Sequence, residues 1–113
     1  MPKHSQRSFV SEVDIVSGPG YDRMRTLGKP DNRFHDVHRV VSNLGVFDFE
    51  TSDNRMRIRS IHPGVEVGEV VENTSFELVI PEDVVQTRVP SEDELRIMDL
   101  IDPRGMRYQE VPE

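Results

Sequence analysis

Two runs of alternating residues constrain this chain more than any other feature. In residues 46–50, Phe47-Asp48-Phe49-Glu50 alternates apolar with acidic side chains, and in residues 55–61 Arg55, Arg57 and Arg59 alternate with Met56 and Ile58. Successive side chains of a strand point to opposite faces, so each run offers one apolar and one charged face. Thr51-Ser52-Asp53-Asn54 lies between them and is made of turn formers. Strands joined this way pair as an antiparallel hairpin. The arginine face of the second strand is either solvated or set against an acidic partner surface.

The remaining elements follow from shorter signals. Val13 and Ile15 alternate with Asp14, which reads as a strand over residues 9–16 that ends at Ser17, before Gly18-Pro19-Gly20 breaks it. Residues 21–36 hold Gly28, Pro30 and Asn32 and keep neither period, so they read as a long loop, functional or partner-facing. The β-branched residues 37–42 read as a short strand. After His62-Pro63-Gly64, the spacing of Val67, Val70 and Val71 predicts a helix over about residues 66–73. Residues 76–80 read as a strand closed by Pro81, followed by a polar linker. Ser91 and Glu94 then form a capping box for a helix whose apolar side chains are Leu95, Ile97, Met98 and Ile101, ended by Asp102-Pro103. A weakly ordered tail is expected from about residue 104. The order is that of an α/β domain too incomplete for a full doubly wound sheet.

Composition narrows the partners. Only 35% of the 113 residues are hydrophobic, 31% are charged and none is Trp. Such a chain buries little apolar area per residue and is expected to lean on a partner surface. The net charge of −7 opposes binding to nucleic acid, although residues 21–39 carry Arg23, Arg25, Lys29, Arg33 and Arg39 against three acids. The absence of Cys excludes disulfides, thiolate catalysis and Cys-based zinc sites. No apolar run approaches the roughly 20 residues of a membrane span, and residues 1–7 lack the apolar core of a signal peptide. A cytoplasmic protein with no membrane partner is expected.

Catalytic motifs are missing. His35 and His38 are three apart, but in a loop entering a strand this spacing sends the rings to opposite faces, so no metal site is expected. His62 before Pro63 reads as a turn residue bonded to backbone. Ser17-Gly18-Pro19-Gly20 is not a nucleophile elbow, and no phosphate-binding glycine loop is present. From the residues alone, the reading stops at an α/β domain with a Gly-Pro-Gly loop.

Three segments, taken together, go further. They are His4-Ser5-Gln6-Arg7-Ser8-Phe9-Val10 through Ser17-Gly18-Pro19-Gly20-Tyr21; His38 to Phe49 followed by Met56 to Val65 with its His62-Pro63-Gly64 turn; and Glu69-Val70-Val71-Glu72-Asn73-Thr74-Ser75-Phe76-Glu77-Leu78. In order and spacing the chain resembles the C-terminal half of the β subunit of family I CoA-transferases of the glutaconate and 3-oxoacid type. The resemblance implies a single domain over residues 1–113, part of the open α/β sheet shared by CoA-transferases and sugar-phosphate isomerases. It implies CoA transfer between an acyl-CoA and a carboxylic acid through a glutamyl-CoA intermediate. The nucleophilic Glu of the family has no counterpart in residues 1–113, so the catalytic residues are expected outside the chain, which alone is expected to be inactive. The implied partners are the α subunit, the missing N-terminal half of the β subunit and acyl-CoA, with coenzyme A as substrate and no bound cofactor. Ser17, Gly18, Pro19, Gly20 and Tyr21 are the residues expected near the substrate. Two alternatives remain: some relatives lacking the Glu hydrolyse a carbon–carbon bond in CoA-linked steroid ring fragments, and a non-catalytic assembly domain keeps the same fold.

Overall fold

The computed structural model describes residues 1–27 and 35–110. Its centre is the expected hairpin. Strand β1 (Val40–Val41) pairs antiparallel with β2 (Gly45–Asp48), which pairs antiparallel with β3 (Arg57–Ile61). A fourth strand, β4 (Val85–Gln86), lies parallel to β3, giving a mixed open sheet in the order β1-β2-β3-β4. The helices are α1 (Tyr21–Leu27), α2 (Val67–Glu72), α3 (Glu92–Ile101) and α4 (Arg107–Glu110).

The hairpin carries one irregularity with a consequence. Val46 pairs with Ser60 but Phe47 pairs with Ile58, so Arg59 is extra on its strand and the register shifts there. Gly45 is required where it sits, because a Cβ would stand 2.5 Å from the Ser60 carbonyl oxygen. Asn54 closes the turn at φ 56°, a region that Asn tolerates. Gly64, at φ 84°, takes the left-handed position after Pro63 that stops β3.

The two faces of the sheet differ as the alternation requires. Phe47 and Ile58 are fully buried and join Phe9, Leu44, Ile61, Val70 and Leu78 in the apolar core of the described residues. Helix α2 buries Val70 in it and packs Val67 against it. On the opposite face the neighbouring pair Asp48 and Arg57 form an ion pair.

Several expectations are corrected. Residues 9–16 form no strand; only Phe9 is buried, and Val13 and Ile15 stand 58% and 87% exposed. Alternation alone cannot make a strand where no neighbour accepts its hydrogen bonds. The loop expected from residue 21 begins instead as α1, which buries none of its residues and therefore shows no apolar period. The strand expected over 37–42 shrinks to Val40–Val41, and that over 76–80 to a single parallel bridge between Arg57 and Val79. β4 arises from the stretch read as linker. Gly28, Lys29, Pro30, Asn32 and Arg33 lie outside the described residues.

Helix α3 follows its local signals. Ser91 Oγ accepts from the Glu94 amide at 3.3 Å and Glu94 accepts from the Ser91 amide at 2.7 Å, completing the capping box. Arg88 grips the same carboxylate through both terminal nitrogens at 2.8 and 2.9 Å, which with the Ser91 amide lowers the Glu94 carboxyl to about 2. At the other end, Asp102 accepts from the amides of Met106 and Arg107, leading into α4. No described helix is long and apolar enough to cross a membrane.

Candidate functional site

An open groove of about 1470 Å³ lies between residues 10–23 and the hairpin turn. The segment over it is pinned at two ends. At its start Phe9 is buried, and its carbonyl accepts from the Ser75 amide and hydroxyl at 3.0 and 2.8 Å. At its end the Tyr21 hydroxyl donates to Asp36 at 3.0 Å and accepts from the Val37 amide at 3.1 Å. The Tyr21 ring meets His35 edge-on at 5.2 Å and lies 5.6 Å from Phe49. Between these anchors residues 11–18 are exposed.

Gly18, Pro19, Gly20 and Tyr21 line this groove; Ser17 does not. Phe49, Met56 and Phe76 supply apolar lining that the sequence patterns did not single out, with Arg23 and Arg55 also in the wall. Arg55 pairs with Glu77 at 3.1 Å, whereas Arg23 makes no ion pair among the described residues. Arg25 donates to the Asp53 carbonyl at 2.7 Å and to Asn54 at 2.8 Å, tying α1 to the hairpin turn. The wall is acidic on balance, with Glu12, Asp14, Asp22, Asp53 and Glu77 against Arg23 and Arg55. Gly18 and Gly20 have nothing within 4 Å of a Cβ, so their place in the wall is not dictated by packing.

Behind the groove, the charged sheet face is satisfied internally. Arg57 donates to both oxygens of Asp48, at 2.9 and 2.8 Å, and Arg59 reaches Asp48 at 3.3 Å. Glu50 receives Arg39 at 3.0 Å and Arg57 at 3.1 Å. Burial pushes the Asp48 carboxyl up, but the Arg57 hydrogen bonds, the Glu50 amide and the Arg57 charge outweigh it and hold the group below its ordinary value. Of the two readings of this arginine face, solvated or set against a partner, the first holds in part: Arg59 is exposed, while both Arg57 and Arg59 also pair with Asp48 of the neighbouring strand. Opposed charges at facing positions of the two runs were the available signal.

A second polar cluster spans the chain. His4 is buried, stacked on Phe9 at 3.6 Å, with Nδ1 2.9 Å from Ser42 Oγ and Nε2 2.9 Å from Thr74 Oγ1. Thr74 donates its own proton to the Val70 carbonyl, so it accepts from Nε2–H. Nδ1 then accepts from Ser42, and the hydrogen bonds assign a neutral imidazole. Burial lowers its pKa in the same direction. His4 thereby locks the N-terminal segment to the sheet and to the end of α2.

The other histidines do not converge. His62 Nε2 donates to the Ser42 carbonyl at 2.9 Å, His38 is exposed, and His35 lies beside Tyr21 with Nε2 unpartnered. Among the described residues no group of three His, Asp or Glu side chains could hold a metal ion.

No protein-family model matches the chain. It is 50% identical over 110 residues to the cholesterol ring-cleaving hydrolase IpdB subunit of Rhodococcus jostii, a match covering 96% of this chain and 43% of that subunit. The crystal structure of R. jostii IpdAB superposes with a TM-score of 0.87 at 49% identity, over 99% of this chain and 45% of that one. CoA-transferases stand further off. A subunit of the 3-oxoadipate CoA-transferase of Pseudomonas knackmussii is 29% identical over 106 residues, 90% of this chain and 40% of its own length. The glutaconate CoA-transferase structure of Acidaminococcus fermentans superposes at a TM-score of 0.70 with 26% identity, over 86% of this chain and 38% of that one. The chain thus spans less than half the length of the relatives it matches. In sequence and in open-sheet fold, it is similar to the CoA-transferase β subunits and their relatives.

Proposed function

We propose that this chain forms part of the β-type subunit of a two-subunit hydrolase that opens a ring presented as a coenzyme A thioester. One contrast carries the reading: identity to the ring-cleaving IpdB subunit is 50%, against 29% and 27% to two CoA-transferase subunits. In such a reaction water adds across the broken carbon–carbon bond, and no glutamyl-CoA intermediate is needed. This favours the hydrolase over CoA transfer, which stands as the second reading because the more distant relatives are transferases. The groove between residues 10–23 and the hairpin turn is the surface offered to the thioester. Phe49, Met56 and Phe76 suit its apolar parts. The groups that perform the chemistry are assigned to the rest of the subunit and to the second subunit, and the chain alone is inactive.

The test is a chimera in which this chain replaces its matching stretch of R. jostii IpdB, co-produced with the second subunit of IpdAB. Incubated with the CoA thioester of a steroid ring fragment, the complex is expected to yield a product heavier by one water. Added acetate should acquire no CoA. An assembled complex that does not open the ring would overturn the hydrolase reading.

A further inference from the structure

Helix α3 is out of place as a surface helix. Leu95, Ile97, Met98, Leu100 and Ile101 are 46–76% exposed, and the helix buries none of its residues. At 100° per residue these side chains spread over more than half of its circumference, with Glu92, Arg96 and Asp99 as the polar edge and with Asp93 and Glu94 of the first turn set among them. A surface helix needs only a stripe about 100° wide, and one apolar over more than that is enclosed on several sides. Nor does a helix of ten residues persist in water through its caps alone. Val85, on β4, and Val89, just before the helix in sequence, are likewise exposed, by 58% and 63%.

The breadth of this face says what kind of partner is needed. A second copy offering one more helix would cover one side of α3 and leave the other wet. Relatives of this chain are more than twice its length.

From these observations we infer that the apolar face of α3, with the β4 edge, is the seam on which the remaining polypeptide of the same β-type subunit packs. The inference rests on the reading of the chain as part of such a subunit. It further commits α3 to the interior of the subunit, away from the contact between subunits.

The chain has no Cys, so Leu100→Cys introduces one thiol at a position 72% exposed, where the change costs the fold little. Maleimide labelling of that peptide, read by mass spectrometry, is compared in the chain alone, in the IpdB chimera without its second subunit, and in the full assembly. Arg96→Cys, on the polar edge, serves as the reference. The expected result is fast labelling of Leu100→Cys in the chain alone and at least tenfold slower labelling in the chimera by itself, with Arg96→Cys reactive throughout. Protection that arrives only with the second subunit would overturn the inference in favour of an intersubunit surface. Protection in the isolated chain that dilution removes would assign the face to a second copy, and fast labelling in all three would leave α3 without an interface. Failure of the chimera to pair or to hydrolyse, read separately by its mass and its activity, counts against the functional reading.

Discussion

The β2–β3 hairpin and helix α3 are both ordered by well-formed local structure, yet only one of them is held by packing. The hairpin buries Phe47 and Ile58 on one face and Asp48 on the other. Its stability comes from contacts between residues far apart in sequence, including the His4 lock and the bonds from Ser75 to Phe9. Helix α3 has a capping box, a bidentate Arg88–Glu94 pair and an Asp102 stop, and still leaves every apolar side chain half exposed or nearly so. Local signals can define where a helix begins and ends, but they do not supply the burial that makes it persist. One chain therefore contains a region complete in itself and a region that waits for a cover.

Substitutions should separate the two regions sharply. Phe47→Ala removes a fully buried ring from the core, and about 4 kcal/mol of stability should go with it, visible as loss of a cooperative thermal transition. Asp48→Ala removes the buried carboxylate that Arg57 and Arg59 share, while Arg57 keeps Glu50; a loss of about 2 kcal/mol is expected, measured by urea titration. Both changes should lower protection in β2 and β3 while leaving α3 as it was.

The third prediction concerns pH. His4 takes up a proton less readily in the folded chain than in the unfolded one. Its contribution is therefore complete above the unfolded value of 6.5 and is lost as pH falls below it toward the lowered folded value. Melting temperature should drop between pH 7.5 and 5.5, and His4→Gln should flatten that part of the profile. A profile equally steep in the variant would remove His4 from the account. Smallest of all, Ser91→Ala deletes one half of the capping box and should cost about 1 kcal/mol of local helix stability. Because α3 contributes so little to the core, the loss should register in helical circular dichroism and leave the main transition unchanged.

The same contrast explains what was legible in the sequence. The hairpin and the capped helix announce themselves through patterns a few residues long, and both stand where the patterns put them. Val13 and Ile15 carry a strand pattern with no strand beside them to pair with. Helix α1 carries no apolar pattern because it buries nothing, and the two-residue β4 is too short to have a period. The groove assembles Tyr21, Phe49, Met56 and Phe76 from four separate segments, so only its Gly18-to-Tyr21 wall could be singled out in advance. His4, Ser42 and Thr74 are separated by up to 70 residues, a distance over which no local signal reaches.

Hydrogen–deuterium exchange on the intact chain tests the contrast most directly. The account predicts slow exchange at Ile58, whose amide bonds the Val79 carbonyl inside the sheet, and exchange in α3 close to that of an unstructured peptide despite its capping box. Amides of Leu95 to Ile101 protected as strongly as those of β3 in the monomeric chain would contradict it, because α3 would then be stable without any cover.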